Sequence, residues 1–380
     1  VGFAARAMEA GLQLNLSNRD FETTSSSWSR GSILIRRGEQ AFDVEEVERR
    51  IHKAAVTANA AVHRILSGRA PGEGPDLGGG HFQLLSRPRI ALVANSPVRS
   101  DAYGHLWHHL DVRLGVPFTI IDAQQFGRVD LRRYNVLILP PGLGSILADN
   151  KSALETWVRG GGTLVATDSS ASALTSGSTG ISSVSLRRDV LEELDVYERA
   201  VARERAARSV DVDEALVWEG TKAKVETEAK DAEEKEESSG AEEESDTPIK
   251  ELDAWMRRFA PSGANLLAHV DTDHWLTAGC TETLPVGYSG SRVFLTKGRA
   301  QTPVRFAPAA DLRLAGLLWP EARERIADSA YLTRESKGNG QIILFAGIPA
   351  LRGYHLSTGR LFANAVIYGP GLGAGQPIGW

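Results

Sequence analysis

Between Arg89 and Asp168 the chain alternates short, wholly apolar runs with amphipathic stretches. RIALVA (Arg89–Ala94), PFTIID (Pro117–Asp122), VLILP (Val136–Pro140) and TLVATD (Thr163–Asp168) are the apolar runs. Tyr103–Leu114, with Leu106, Leu110 and Leu114 at helical spacing, and Lys151–Arg159 separate some of them. A strand that is apolar throughout has both faces buried, and helices between such strands are the crossovers that parallel pairing requires. The pattern predicts a doubly wound, mostly parallel α/β domain.

The first 80 residues read differently. VGFAARAMEAG is a helix ending at Gly11, Leu12–Leu16 and Gly31–Gly38 are strands, and Asp43–Leu66 carries apolar residues every three or four positions, as a helix does. This is a small α/β unit. The Gly- and Pro-rich stretch Ser67–Gly80 closes it as a surface connection, so domain boundaries fall at 1–80 and 81–220. A helix is predicted over Leu186–Ala207, and from Ile249 the segments LLAHV, VFLTK, VRFAP, LAGLLWP and QIILFAG restore core-like apolarity. QIILFAG supplies a late buried strand that resumes the sheet, within a last segment spanning 249–380 that includes a helix over Gly359–Gly369.

The net charge of −5 is unevenly placed. Between Glu226 and Asp246 eleven acidic residues face only Lys230 and Lys235, a local balance of −9 that leaves the remainder about +4. That remainder is too weak and scattered for nucleic-acid binding. The tract, with almost no apolar or β-branched residues, cannot offset the entropy of ordering and is predicted to be a disordered insert over 221–248. No apolar run approaches the length of a membrane span, so the chain is not read as an integral membrane protein. Cys280 is the single cysteine, which excludes an internal disulfide and a cysteine-rich zinc module and fits a structural thiol.

Four places could carry chemistry. His105, His108 and His109 sit at i, i+3 and i+4, the spacing of a two-histidine metal site, but no H-E-x-x-H or H-x-x-E accompanies them, so no metal ligands are assigned. LPPGLGS (Leu139–Ser145) follows the third strand at the edge where open α/β sheets bind ligands, and Gly142, Gly144 and Ser145 could aim backbone N–H groups at an anion. It is not a nucleotide-binding glycine signature. Asp168, Ser169 and Ser170 end the fourth strand, where a nucleophile elbow would sit, with His274 or His355 as distant candidate bases. Trp107, Trp275 and Trp319 are candidate interface anchors.

RIALVANSP, the LPPGLG turn and WVRGGGTLVATDSSA together resemble the class I glutamine amidotransferase-like, flavodoxin-like fold. In that family the strand after the glycine turn ends in a cysteine elbow and a later strand delivers His and Glu. Here the elbow carries Asp168-Ser169-Ser170, and QIILFAGIPALRGYH lacks the family's F-H-P-E, so glutamine hydrolysis is not implied. A wider resemblance runs through RGSILIRRGE, GPDLGGGHFQLLSRPRIALVANSP, Tyr103–His108, DTDHWLTAGC and LRLAGLLWPEARERIADSAYLTRE. These look like the carboxy-terminal half of large bacterial zinc carboxypeptidase-like proteins, in which a peptidase domain precedes an amidotransferase-like domain lacking its nucleophile. The resemblance implies proteolysis by an exported parent chain, with zinc in an upstream peptidase domain that is this region's partner and a peptide as substrate. No position here matches the zinc motif. The start at Val1, within a helix and without a visible signal peptide, is expected of a fragment. The reading is thus a non-catalytic accessory region, with a serine-elbow hydrolase or a small-anion sensor as alternatives.

Overall fold

The computed structural model describes residues 1–208 and 247–374, apart from 25, 73 and 297. The chain divides into two compact units, Val1–Asp189 with Met256–Trp380, and Val190–Trp255.

The larger unit opens with helix α1 (Gly2–Glu9) and strands β1 (Asn15–Ser17) and β2 (Ile33–Leu34), followed by helix α2 (Val44–Ala58) and β3 (Phe82–Leu84). β1 pairs antiparallel with both β2 and β3. This small sheet takes its third strand from beyond residue 80 and belongs to the same compact unit as the main sheet. Helix α2 starts where the Asp43 carboxylate accepts from Glu46 N at 2.8 Å, and it ends at Ala58 because Asn59 takes the left-handed conformation, φ 48°. The expected continuation to Leu66 is corrected by that cap.

The main sheet is built from β4 (Ile90–Ala94), β5 (Phe118–Asp122), β6 (Val136–Leu139), β7 (Thr163–Thr167), β8 (Ser262–Val270), β9 (Thr283–Ser289), β10 (Gln301–Phe306), β11 (Ala330–Lys337) and β12 (Gly340–Phe345). Their order in space is β9-β8-β10-β11-β12-β7-β6-β4-β5. The pairs β12·β7, β7·β6, β6·β4 and β4·β5 are parallel, whereas β11·β12 and the pairs beyond it are antiparallel. Taken in chain order, the five parallel strands lie 2-1-3-4-5, the flavodoxin-like order. The fold is therefore the doubly wound α/β class read from the sequence. QIILFAG does resume the sheet: every residue of β12 is buried, and it pairs with β7 from Gln341·Thr163 to Phe345·Thr167. β5 departs from the fully buried pattern, exposing Thr119 and Ile120, because it is the edge strand. Of the antiparallel extension β8–β11, LLAHV and VRFAP, expected as strands or core segments, lie in β8 and β10, whereas β9, β11 and the antiparallel pairing have no counterpart in the sequence expectation.

Helices α3 (Ser100–His108), α4 (Gly144–Asp149), α5 (Lys151–Arg159) and α6 (Asp168–Ala173) connect the parallel strands. α3 widens into a π-helical turn over His109–Leu114, so the expected helix Tyr103–Leu114 is two pieces. Across the antiparallel half runs an aromatic chain: Tyr288–Phe306, Phe306–Tyr331, Tyr331–Phe345 and Phe345–Phe362, with ring centroids 5.1, 5.6, 6.1 and 6.5 Å apart. These edge-on contacts bind the two halves of the sheet into one core.

The second unit contains α7 (Leu194–Arg208), with an exposed Asp195–Arg199 pair one turn apart, and most of α8 (Thr247–Met256). The helix expected from Leu186 begins eight residues later, because Ser185 and Leu186 pair with Leu295 and Phe294 in the larger unit. Of the expected acidic insert 221–248, all but Thr247 and Pro248 lies outside the described residues. No helix among the described residues is long and apolar enough to cross a membrane. Helix α9 (Leu356–Ile367) is buried along most of its length and is followed by a short helical turn, Gly369–Leu372.

Candidate functional site at the sheet's carboxyl edge

A doubly wound sheet opens a crevice where its strand order reverses, here between the carboxyl ends of β4 and β6. The turn after β6 forms one wall. Gly142 has φ 115°, and a Cβ there would run into the Pro97 carbonyl, so the turn accepts only glycine. Gly144 and Ser145 are exposed and open the six-residue α4.

The end of β7 forms the other wall. Of Asp168, Ser169 and Ser170, it is Asp168 that takes the left-handed conformation, φ 53°, as the strand turns sharply into α6. A residue other than glycine at positive φ carries a modest backbone strain that the surrounding contacts must hold. Asp168 thus occupies the elbow.

Both oxygens of its carboxylate accept hydrogen bonds. Oδ1 accepts from Ser169 N at 2.5 Å and from Arg292 Nη2 at 2.9 Å, while Oδ2 accepts from Arg292 Nη1 at 3.1 Å. Asp168 is buried, so this fork-to-fork pair sits largely out of water. Arg292 is held in turn: the Tyr288 hydroxyl donates to its carbonyl, and Arg325 Nη1 donates to the neighbouring Ser291 carbonyl at 2.6 Å. Burial pushes the Tyr288 pKa far up, which keeps that hydroxyl protonated as a donor. Arg99, whose pKa is raised chiefly by its hydrogen bond to Asp101, also lies within electrostatic reach of Asp168.

The serines have other work. Ser170 Oγ donates to the Pro140 carbonyl at 2.6 Å and accepts from Leu143 N at 3.1 Å, with no exposed surface. Ser169 Oγ accepts from Gly142 N at 3.1 Å. Of the backbone donors expected to face an anion, Gly142 N is thus taken by a serine hydroxyl, as is its neighbour Leu143 N, whereas Gly144 and Ser145 stay exposed at the start of α4. Both walls are stitched to each other.

The candidate bases lie elsewhere. His355, at the start of α9, packs against Gly287 of β9, and burial alone lowers its pKa. No side-chain hydrogen bond or ion pair to its ring is present among the described residues. His274 is buried, with Nε2 3.2 Å from Gln301 Oε1 and Nδ1 accepting from Leu276 N at 3.1 Å; desolvation lowers its pKa to about 4. Neither imidazole is brought to Ser169 or Ser170.

The histidine triplet does not converge either. His105 Nδ1 accepts from Arg352 N at 3.3 Å, His108 sits beside Gly353, and His109 packs edge-on against Phe362. No group of three His, Cys, Asp or Glu side chains placed to hold a metal ion is found among the described residues. Cys280 is half-buried with its pKa raised by desolvation, the environment of a structural thiol. Trp107 and Trp319 are 38% and 48% exposed, whereas Trp275 is half-buried. Arg292 was missed by the sequence reading, because nothing in GYSGSRVF ties an arginine to a carboxylate 124 positions earlier.

Fold and crevice together define a flavodoxin-like α/β protein whose elbow holds a clamped carboxylate. No family model and no curated protein matches the chain. Among solved structures it is similar to a Thermoplasma acidophilum protein provisionally assigned as one of the subunits of a GMP synthase, at 9% identity over 74% of this chain and 94% of that one, TM-score 0.40. A provisionally ThuA-like protein from Parabacteroides merdae matches at 10% identity over 76% and 91%, TM-score 0.39. A β-galactosidase from Bacillus circulans matches at 12% identity over 86% of this chain and 36% of the enzyme, TM-score 0.34. With scores this low the likenesses bear no weight, and the fold class rests on the strand order.

Proposed function

We propose that this chain is a non-catalytic accessory region of a longer, exported zinc carboxypeptidase-like protein, its amidotransferase-like domain having an elbow closed to chemistry. The observation that carries the first half is the Asp168–Arg292 pair. An elbow nucleophile needs a free lone pair and a neighbouring base. Asp168 has both oxygens bound by a guanidinium, and the two serines beside it hold backbone groups. The peptidase half rests on the sequence resemblance alone.

Two experiments test the two halves. The purified chain, with and without added zinc, is expected to release no C-terminal residues from peptides and to hydrolyse neither glutamine nor simple esters above background. Ester hydrolysis abolished by Ser169→Ala or Ser170→Ala would reinstate the serine-elbow reading. Sequencing upstream of the Val1 codon is expected to show an open frame encoding H-x-x-E and a distant His. A frame without them removes the peptidase parent while leaving the silent elbow intact.

A further inference from the structure

A cavity of about 270 Å³ lies between the small N-terminal sheet and the antiparallel half of the main sheet. Its wall includes Arg30, Arg334, His274, Gln301, Gln83 and Asn18, a polar lining remote in sequence from the elbow. The volume is near the lower end of the roughly 300–1,000 Å³ of small-molecule sites.

The two guanidiniums are held differently. Arg334 is fixed on every nitrogen: Nε donates to Gln341 Oε1 at 3.0 Å, Nη1 to Gln301 Oε1 at 3.2 Å and Nη2 to the Gly373 carbonyl at 2.9 Å. A guanidinium has five N–H groups, so this one stays oriented with donors to spare. Arg30 reaches the exposed Asp273 through Nη1 at 3.2 Å, and its Nη2 is buried with no hydrogen-bond partner. A cationic donor without an acceptor is costly, and Arg30 lines the cavity where an acceptor from outside the chain can pair with its guanidinium.

Charge narrows its identity. His274 receives a hydrogen bond at Nδ1 and faces the Gln301 oxygen with Nε2, which fixes a neutral imidazole protonated on Nε2. Two arginines against Asp273 leave the lining with one net positive charge. A guanidinium fork matches the two coplanar oxygens of a carboxylate. The amides of Asn18 and Gln83 both donate and accept, which suits hydroxyl or keto groups on the rest of the ligand. We propose that this cavity binds a small polar carboxylate, with the guanidinium of Arg30 as a principal donor.

Isothermal titration calorimetry of the intact chain with lactate, malate and citrate tests this, with dimethyl malate and inorganic phosphate as comparison ligands. Saturable binding of at least one carboxylate is expected, weakened about tenfold or more by Arg30→Gln and less by Arg30→Lys, as loss of a charge-assisted hydrogen bond implies. Dimethyl malate is expected not to bind. If Arg30→Gln does not fold, Gln83→Trp, at an exposed strand position on the cavity wall, makes the same test by filling the space. No saturable heat with any of the three acids, equal affinity in the variant, or tighter binding of phosphate than of every carboxylate would overturn the proposal.

Discussion

The guanidinium of Arg292 grips the carboxylate of Asp168 at two points, Nη2 to Oδ1 at 2.9 Å and Nη1 to Oδ2 at 3.1 Å, across 124 residues of chain. The contact joins the parallel half of the sheet, through the end of β7, to the antiparallel extension, through the loop after β9. It holds the carboxylate of a strained elbow at both oxygens.

Breaking that pair from one side leaves a charge buried without a partner. Arg292→Met is expected to lower unfolding stability by about 3 kcal/mol, within the range for breaking buried pairs. Asp168→Gly in the Arg292→Met background is expected to restore part of it, since it removes the orphaned carboxylate and relieves the positive φ. Urea denaturation of the two variants against the parent checks both signs.

The serines should differ in weight. Ser170 bridges the Pro140 carbonyl and Leu143 N with no exposed surface, so Ser170→Ala strands two buried backbone groups and is expected to lose about 2 kcal/mol. Ser169→Ala, which frees only Gly142 N at a half-buried position, is expected to lose about 1 kcal/mol or less. Reversed magnitudes in thermal unfolding would contradict this stitching of the two walls.

In the turn after β6, Gly142→Ala and Gly144→Ala form a matched pair. The first places a Cβ against the Pro97 carbonyl at φ 115° and is expected to destabilise by about 2 kcal/mol or more. The second adds a methyl that meets nothing closer than Ala173 Cβ at 4.0 Å, and is expected to change little. Chemical denaturation midpoints give the comparison directly.

Acid should weaken the fold in a defined window. Burial lowers the pKa of both His109 and His274 from 6.5 to about 4, with the Arg113 charge adding to the effect at His109. In the unfolded chain both protonate near their ordinary value, so their contribution is complete above about pH 6.5 and is lost progressively as the pH falls towards 4. Each is expected to contribute a slope on the order of 1.4 kcal/mol per pH unit within that window. His109→Leu and His274→Gln should each flatten the stability profile between these limits, as measured by urea titrations at successive pH values.

Much of the scaffold was legible because hydrophobic periodicity is a local signal. β4, β6, β7 and β12 are buried on both faces, and their uninterrupted apolar runs announced it; Lys151–Arg159 emerged as a helix with the bounds its pattern predicts. Where a boundary moved, a single backbone state or a distant partner was responsible. Asn59 in the left-handed region ended α2, and pairing of Leu186 with Phe294 took the first residues away from the expected helix. Of the antiparallel extension only LLAHV and VRFAP were legible, because β8 and β9 alternate buried with exposed residues and lack the continuous apolarity that marks a parallel core strand.

By itself, the sequence determined the class of fold, the place of the carboxyl-edge turn and the presence of an Asp-Ser-Ser run at the end of a buried strand. Only the tertiary structure decided which of those three residues forms the elbow, that Arg292 closes it, and that Arg30 and Arg334 share the wall of a cavity. The reason is physical: burial patterns are written in neighbouring residues, whereas an ion pair or a ligand cavity is made by side chains whose separation in space is independent of their separation in the chain.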